Sequence, residues 1–438
     1  SAAWPMAQSL HGAVEWPCRC RSTVAGWTCE KSAITLCRWE RRLQATQSLG
    51  RYWLNAVRRG LRFTGAALAL IASFPAMAEA PTPAQNAAIA KALEETGAKG
   101  LAVALIANGQ VSWVRTFGAR NAAGEALDSE TVMYGASLTK AVVGYLTLQL
   151  AAEGVVDLDT PIAEMLPQPL PEYGNVDAYG HWGDLASDER WRRITPRMVL
   201  NHSTGFANFA FLEPDGKLRI HFDPGTRYAY SGEGMMLLQF GLEQGLGLDL
   251  EAELQRRYFR PIGMTRTSLK WQSSFAPNIA DGWDEAGRSE PHDERSRVRA
   301  AGSMDTTIAG MARMVAYMVR KEGLPDAWKA AFPGGTLAIT TRQQFPTLLP
   351  DAPIEQRSGA MAGLGVITFA GPQGPGWFKG GHNDVTANTM VCLERDRRCV
   401  LILSNDVRSE KAFPALVRSL LGDTGVPFTW EYPGLAAN

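Results

Sequence analysis

The sequence has no excess of charge of either sign, because 44 Lys and Arg residues balance 44 Asp and Glu residues among 438. The balance is uneven along the chain. Residues 1–62 contain ten basic and three acidic side chains, which leaves 34 against 41 and a net charge of minus seven for the remainder. A mildly acidic chain lacks the basic surface that neutralises a phosphate backbone. We therefore expect no nucleic-acid partner.

Long apolar runs are also lacking. The apolar stretch at 63–74 is too short for a transmembrane helix and is ended by Pro75, so no stable membrane span is expected. The stretch follows a basic segment at 58–62 and precedes Ala76-Met77-Ala78, which is the order of parts in a bacterial secretory signal peptide. We expect residues 57–78 to be such a signal, and the mature protein from residue 79 to be exported to the periplasm.

Cysteine is scarce, with six residues, of which four lie before residue 57. These four contain no Cys-x-x-Cys pair, which argues against a zinc site. Residues 1–56 show no clear periodicity, and we expect them to be upstream sequence outside the native product or a segment without an assigned role. The later Cys392 and Cys399 would face each other if a turn falls at Arg395-Asp396, within disulfide reach. A disulfide and two buried thiols both remain open.

Several catalytic motifs are missing. The sequence has no Gly-x-Ser-x-Gly elbow, since Asn201-His-Ser203-Thr-Gly205 departs from that pattern at its first position. It also has no His-Glu-x-x-His zinc motif and no phosphate-binding loop. These absences argue against a Ser-His-Asp hydrolase of the elbow type, a zinc peptidase and a P-loop nucleotide-binding enzyme.

What is present is a serine at the start of an apolar helix. Apolar residues recur at helical spacing over 138–153, no proline interrupts them, and Gly154 follows as a stop. Ser137 therefore lies at or beside the first position of the helix. There, unpaired backbone N–H groups and the helix dipole stabilise negative charge on a serine oxygen or a bound oxyanion.

Lys140 distinguishes a catalytic serine from a simple helix cap. Serine often serves only as an N-cap, and a Ser-x-x-Lys match alone is weak evidence. However, a cation in the first helical turn opposes the dipole, and a capping box would have Glu or Gln at this position. Residues three apart share a helix face, so the Lys140 amine can reach the Ser137 hydroxyl. If packing desolvates the amine, its pKa falls and it can accept the serine proton.

The remaining segments predict the fold. A helix at 82–95 and a hairpin around Asn108-Gly109 come first. The proline-rich segment at about 157–291 shows little strand alternation and predicts a mostly helical insertion. Further helices are expected at 306–321 and 409–421, and strands at 362–369, 377–379, 389–393 and 400–404. Together these elements predict an α+β fold, in which an antiparallel β-sheet is flanked by N- and C-terminal helices and a helical lobe is inserted, with a cleft between.

Three motifs in order carry a family resemblance: Ser137-Leu-Thr-Lys140, Tyr230-Ser-Gly232 and Lys379-Gly-Gly381. They resemble the motifs of the serine β-lactamase and penicillin-binding protein superfamily. The tyrosine in the second motif is similar to the branch of class C β-lactamases, D-alanyl-D-alanine peptidases and family VIII carboxylesterases. The resemblance spans residues 83–422 and implies a β-lactamase/transpeptidase-like fold and a domain covering 79–438.

The resemblance also implies a mechanism. Ser137 would attack a carbonyl, with Lys140 and Tyr230 as general base and acid, and the cations nearby would lower the pKa of the Tyr230 phenol. The backbone N–H groups of Ser137 and His382 would form the oxyanion hole. Lys379 would attract a substrate carboxylate. No metal or organic cofactor is implied, and the partner would be a small-molecule substrate.

The substrate and the neighbouring residues remain open. The second motif usually ends in asparagine, whose carboxamide holds the acyl side chain, and Gly232 lacks it unless Asn383 supplies that contact. Gly381 would line the substrate-binding strand, and His382 either lines the cleft or has a structural role. We expect β-lactam hydrolysis ahead of ester hydrolysis, then a D-amino-acid peptidase, with a penicillin-binding protein without turnover as the non-enzymatic alternative. His202 is expected to bond backbone.

Overall fold

The computed structural model describes residues 80–432 and 434–435, together with a short hairpin of Arg21–Thr23 and Gly26–Thr28. The chain divides after Pro75 into two compact units, and the hairpin belongs to the first of them. The predicted signal peptide at 57–78 and the four early cysteines lie outside the described residues. In the described part, no helix has both the length and the apolar character that crossing a membrane requires.

The second unit is built on one antiparallel sheet of eight strands. Its strands are β1 (Gly100–Ala107), β2 (Gln110–Gly118), β3 (Leu337–Ala338), β4 (Met361–Ala362), β5 (Ile367–Gly371), β6 (Gly374–Asn383), β7 (Thr386–Leu393) and β8 (Arg398–Ser404). The spatial order is β3-β4-β5-β6-β7-β8-β1-β2, so the first two strands of the chain complete an edge formed by the last ones. Segments from the two ends of this unit therefore pair where β8 meets β1.

Helices cover both faces of this sheet. The helices described in this unit, including those of the inserted lobe, are α1 (Pro83–Thr96), α2 (Leu138–Ala152), α3 (Pro196–Leu200), α4 (Gly232–Phe240), α5 (Leu250–Leu254), α6 (Ile308–Val319), α7 (Asp326–Lys329), α8 (Phe413–Leu421) and α9 (Phe428–Glu431). The terminal helices α1 and α8 pack in one apolar cluster, and α2 and α6 pack in the other. Alternation along β8 serves both clusters, because Leu401 faces one and Val400 faces the other. The predicted α+β fold with flanking terminal helices is confirmed.

Local sequence signals explain the N-terminal elements. Thr82 caps α1 in a reciprocal capping box with Gln85, and Pro83 occupies the first turn. The predicted hairpin joins β1 to β2 through Asn108 (φ 52°) and Gly109 (φ 75°), the two positive φ angles that a type I′ turn needs.

The inserted lobe is made of short pieces. Besides α3, α4 and α5 it contains several single-turn 3₁₀ segments, and α4 and α5 each continue into a π-helical turn, at Gly241–Gly245 and Gln255–Phe259. Two-residue strand pairs interrupt it at Asn175–Val176 with Gly180–His181 and at Gly282–Trp283 with Ser289–Glu290. A similar pair of Met133–Tyr134 with Asp305–Thr306 lies beside the start of α2. Proline recurs throughout the lobe, which agrees with helices this short.

Several elements differ from the sequence-based expectation. The strand predicted at 362–369 is divided between β4 and β5 because Gly365 turns the chain at φ 82°. The last predicted helix starts later, at Phe413, since a 3₁₀ segment (Val407–Ala412) precedes it. Helix α9 was not predicted, as four residues carry no readable period.

Cys392 and Cys399 are a directly opposed pair in the β7–β8 register and form a disulfide. The turn between the strands falls at Arg395-Asp396 as expected, with Asp396 at φ 57°. Of the two alternatives that the sequence left open, the structure has the disulfide.

Helix α2 is enclosed on all sides, since residues 138–151 are all buried. At Gly144 the helix packs closely against the backbone of the turn between β4 and β5. A Cβ added there would lie 2.8 Å from the Leu364 carbonyl oxygen and 3.1 Å from Gly365 Cα. Because both atoms belong to the backbone, they cannot move far to relieve a clash. The absence of a side chain at Gly144 therefore lets α2 pack this closely.

We therefore predict that Gly144→Ala destabilises the protein by about 1–3 kcal/mol, although Ala in a helix is intrinsically favoured over Gly by about 1 kcal/mol. Thermal unfolding of the variant measures this. The matched control is the reverse exchange, Ala87→Gly, at an exposed position of α1, which reports helix propensity alone. A Gly144→Ala protein with a raised melting temperature would contradict the close packing.

Candidate active site

All the predicted site residues line one cavity of about 620 Å³. Ser137 and Lys140 come from the start of α2, and Tyr230 immediately precedes the N-cap residue of α4. Strand β6 contributes Lys379, Gly381, His382 and Asn383. The loop at 293–303 and the segment at 208–211, which were not predicted, complete the wall on the lobe side.

Ser137 stands at the N-cap position of α2, but its hydroxyl makes no capping hydrogen bond. The preceding residue, Ala136, has φ 46°, a left-handed conformation that is costly for a residue with a Cβ. The turn is held by the Gly135 amide, which donates to the Met304 carbonyl at 2.8 Å. The Ser137 side chain therefore does not serve as a cap of α2 in this structure.

Lys140 reaches back to Ser137, with 3.0 Å between its Nζ and the serine Oγ. The same Nζ donates to the Ala301 carbonyl oxygen. The residue is 1% exposed. Burial lowers the pKa of Lys140 well below its usual value, and the positive charges of Lys379 and Arg299 lower it further. A lowered pKa favours the uncharged amine, and this form has a lone pair that can accept the Ser137 proton.

The Tyr230 hydroxyl lies 2.8 Å from Ser137 Oγ. Two lysine amino groups approach the tyrosine, but over its ring, with Lys140 Nζ at 4.9 Å and Lys379 Nζ at 5.2 Å from the ring centroid. Burial is the dominant influence and raises the pKa of Tyr230 above its usual value. The expectation that neighbouring cations would lower this pKa is wrong. The phenol stays protonated and can act as a hydrogen-bond and proton donor.

Backbone contacts fix Tyr230 in place. The next residue, Ser231, caps α4, because its hydroxyl accepts a hydrogen bond from the Gly234 amide at 3.0 Å. The Ser231 amide in turn donates to His202 Nδ1 at 3.2 Å, and the His202 and Tyr230 rings are 4.5 Å apart. The prediction that His202 bonds backbone is confirmed.

Strand β6 runs directly past the serine. A Cβ added to Gly381 would lie 2.9 Å from the Ser137 amide nitrogen, so only glycine permits this approach. His382 follows in the strand, and its Nδ1 is 2.6 Å from Glu410 Oε1. Burial alone would lower the pKa of His382, but the hydrogen bond and charge of Glu410 outweigh it and raise the pKa. This places the backbone of residues 381–382 beside Ser137, and the oxyanion-hole role stays a prediction.

Lys379 is buried in the β6 wall, and its Nζ donates to the Gly380 carbonyl oxygen. Burial lowers its pKa to about 8, against the opposing charge of Glu431. Glu431 itself is buried, its Oε1 accepts from the Gly380 amide at 3.1 Å, and burial raises its pKa. Within the described residues its Oε2 has no hydrogen-bond partner. Sequence reasoning missed Glu431, because it comes from the unpredicted α9.

The place of the missing carboxamide in the second motif is taken by an aromatic ring. A Cβ added to Gly232 would lie 2.4 Å from two carbons of the Phe209 ring. The neighbouring Asn208 accepts a hydrogen bond from the Gly232 amide through its Oδ1 at 3.0 Å. Asn383 is exposed, and its Oδ1 accepts from the Val385 amide. The carboxamide beside Gly232 therefore belongs to Asn208, and no local pattern could have paired residues 24 apart.

The arrangement is suited to acyl transfer. A hydroxyl lies between an amine whose pKa is lowered and a phenol whose pKa is raised, next to backbone that can receive an oxyanion. Within the described residues, no group of three or more His, Cys, Asp or Glu side chains is placed to hold a metal ion. The side chains present have the chemistry of a nucleophile, a base and an acid.

Comparison with protein families decides the family. The model of the family described as Beta-lactamase matches residues 86–421. The chain belongs to the beta-lactamase family. This family has serine hydrolases and acyltransferases among its members, and the superfamily expected from the three motifs is confirmed.

Curated relatives match over part of the chain. Monacolin J acid methylbutanoyltransferase of Aspergillus terreus is 28% identical over 225 residues, which is 45% of this chain and 54% of that protein. Lovastatin esterase of Penicillium rubens is 28% identical over 158 residues, which is 31% of this chain and 39% of that protein. The chain spans about half the length of the first of these relatives, and less of the second.

Solved structures show the same fold at low identity. The octameric penicillin-binding protein homologue from Pyrococcus abyssi has a TM-score of 0.61 and 17% identity, with 80% of each chain covered. The D-alanine carboxypeptidase AmpC from Burkholderia cenocepacia has a TM-score of 0.60 and 16% identity, covering 77% of this chain and 98% of that chain. These solved structures therefore share the overall fold of this chain.

We predict that Lys379→Met moves the acidic limb of the pH profile of kcat/KM to higher pH by about 0.5–1 unit, measured with an uncharged ester. This limb reflects deprotonation of the general base, Lys140, as the pH rises. Removing the positive charge of Lys379 makes protonation of Lys140 easier, so the pKa of Lys140 rises and the base is lost at a higher pH. The control is Lys217→Met, an exposed lysine outside the cavity. A limb that stays in place or moves to lower pH would contradict Lys140 as the base.

Proposed function

We propose that this beta-lactamase family member is a serine hydrolase that cleaves carboxylic esters through an acyl-enzyme on Ser137. The observation that carries the proposal is the pair of contacts to Ser137 Oγ, at 3.0 Å from a buried amine and 2.8 Å from a buried phenol. Lys140 accepts the serine proton as Oγ attacks the carbonyl carbon. The backbone amides of Ser137 and His382 receive the oxyanion.

The proton then passes to the leaving group. As the tetrahedral intermediate collapses, the Tyr230 hydroxyl donates a proton to the departing alcohol oxygen and regains one from Lys140. Water repeats the sequence in the second half, releasing the acid and free Ser137. The raised pKa of Tyr230 and the lowered pKa of Lys140 suit these directions of transfer.

Esters are placed ahead of β-lactams because of the space beside Gly232. Penicillins and cephalosporins carry an acylamino side chain, but Gly232 has no carboxamide to hold it. The Phe209 ring fills the space beside Gly232, and the nearby Asn208 carboxamide already accepts a hydrogen bond from the Gly232 amide. Two relatives carry the names of an acyltransferase and an esterase, and both reactions pass an acyl group through the protein. These points support ester cleavage without a requirement for an acylamino group.

The second candidate is β-lactam hydrolysis, and Lys379 favours it. Its amino group is buried in the cavity wall, where it suits the carboxylate that penicillins and D-alanyl peptides carry. A D-alanyl peptidase, or a penicillin-binding protein without turnover, would use the same contact between Lys379 and a substrate carboxylate.

We predict that Ser137→Ala lowers ester turnover by about 10³-fold or more. The measurement is intact mass over time after mixing the protein with p-nitrophenyl butyrate or with benzylpenicillin, beside p-nitrophenol release. Wild type is expected to gain the butyryl mass transiently, and Ser137→Ala to gain none. Ser289→Ala, at an exposed serine outside the cavity, is the matched control.

The two ligands separate the candidates. A penicillin adduct that decays as product accumulates would favour a β-lactamase, and one that persists would favour a penicillin-binding protein. No penicillin adduct together with ester cleavage would support the ester proposal. Equal ester activity in Ser137→Ala and wild type would refute the role of Ser137.

We also propose that the protein is exported and cleaved after Ala78. The order of basic, apolar and Ala-x-Ala segments supports this, and so does the Cys392–Cys399 disulfide, because disulfides persist in oxidising compartments. Expression in a bacterium, with fractionation and mass measurement, is expected to give a periplasmic product beginning at Glu79. Replacing the small residue at the cleavage site, Ala78→Trp, is expected to block processing. A cytoplasmic product that retains residues 57–78 would contradict the proposal.

A further inference from the structure

We propose that the lobe side of the cavity binds acyl groups that end in a carboxylate, with Arg299 as the residue that recognises it. The substrates would be monoesters of dicarboxylic acids, or other acyl donors with an anionic end. This inference deepens the proposed function, on which it rests, because it names the acyl class that Ser137 would receive.

Arg299 lies in the cavity-lining loop at 293–303 and is partly buried. Its backbone is held firmly, since its amide donates to Ser303 Oγ at 2.9 Å and its carbonyl accepts from the Gly302 amide at 3.0 Å. The following amide, of Ala300, donates to Gln239 Oε1 at 2.8 Å in α4. The arginine therefore projects from a rigid turn that is tied to the lobe.

Its guanidinium has no hydrogen bond and no ion pair within the described residues. The other arginines of the loop differ: Arg295 contacts Asp305 at 3.3 Å, and Arg297 donates to the Asp177 carbonyl at 2.9 Å. Glu233, the buried carboxylate whose pKa Arg299 influences, is instead bonded to the Ala210 amide at 2.8 Å. A partly buried guanidinium with its donors unused fits a planar carboxylate.

Two acidic side chains of the same loop do not remove this charge. Asp293 lies 3.5 Å from Arg295, and Glu294 is exposed. Neither is within ion-pair distance of Arg299. The described cavity therefore has a cation on each wall, with Lys379 on β6 and Arg299 on the lobe, and Lys140 is close enough to feel both charges.

An apolar surface leads toward Arg299. The Phe209 ring, which fills the space beside Gly232, has its centroid 6.0 Å from the guanidinium carbon of Arg299. It stacks on Phe211, with centroids 5.2 Å apart, and Phe211 is 73% exposed at the cavity. A short alkyl or aryl spacer can pack on Phe209 while its terminal carboxylate meets Arg299. A neutral acyl chain of equal length makes only the first of these contacts.

The test compares two activated esters with five-carbon acyl groups: mono-p-nitrophenyl glutarate, which ends in a carboxylate, and p-nitrophenyl pentanoate, which ends in a methyl group. The readout is the ratio of their kcat/KM values in wild type, Arg299→Gln and Arg299→Lys. The ratio cancels effects of the substitution that are equal for the two esters, such as a change in the fraction of active protein. Arg115→Gln, outside the cavity on β2, is the matched control.

We expect Arg299→Gln to lower the glutarate-to-pentanoate ratio by about 10-fold or more, through a raised KM for the glutarate ester. Arg299→Lys is expected to restore part of the ratio, and Arg115→Gln to leave it unchanged. An unchanged ratio in Arg299→Gln, with both esters still cleaved, would overturn the inference and leave the proposed function standing.

Two further outcomes are distinct. If Lys379→Met abolishes the preference for the glutarate ester and Arg299→Gln does not, the carboxylate binds at β6, and the inference is wrong. If wild type cleaves neither ester and Ser137 gains no acyl mass from either, the proposed function has failed and this inference fails with it.

Discussion

Burial of a single amino group, that of Lys140, is the constraint on which the site depends. An ammonium ion out of water needs a carboxylate partner to stay charged, and Lys140 has the Ser137 hydroxyl and the Ala301 carbonyl instead. The neutral amine follows from this environment. Keeping it requires helix α2 to be enclosed by both the sheet and the lobe, which explains why residues 138–151 are buried on every side. Catalysis and core packing are therefore set by the same helix.

The sequence predicts the parts of this structure that local patterns encode. The start of α2, the capping box of α1, the Asn108-Gly109 hairpin and the spacing of Ser137 to Lys140 are all readable within a few residues. The contacts of Asn208, Phe209 and Glu431 are not, because each depends on tertiary packing between segments far apart in the chain. Family motifs did not help there, since none of these residues lies in a motif.

Tyr230 shows a second limit of sequence-based prediction, which concerns the relative sizes of two opposing effects on its pKa. The sequence correctly brings two lysines near the phenol, but it cannot rank their attraction for a phenolate against the loss of solvation. In the structure the cations lie over the ring, 4.9 and 5.2 Å from its centroid, and burial dominates. Division of labour follows from that ranking. In the proposed mechanism Lys140, whose pKa burial lowers, would be the base, and the protonated phenol would be the donor.

The two walls of the cavity make different contacts, but a positive charge on one wall influences the pKa of Lys140. Because Gly381 has no side chain, β6 packs against the backbone of the turn that carries Ser137. Because Gly232 has none, the Phe209 ring occupies the space beside it on the lobe side. Arg299 lies on that side, and its positive charge helps to lower the pKa of Lys140. A bound carboxylate at Arg299 would offset this charge and return basicity to Lys140. The base would then be strongest when the matching acyl group is in place, so that recognition on the lobe would act on chemistry at α2.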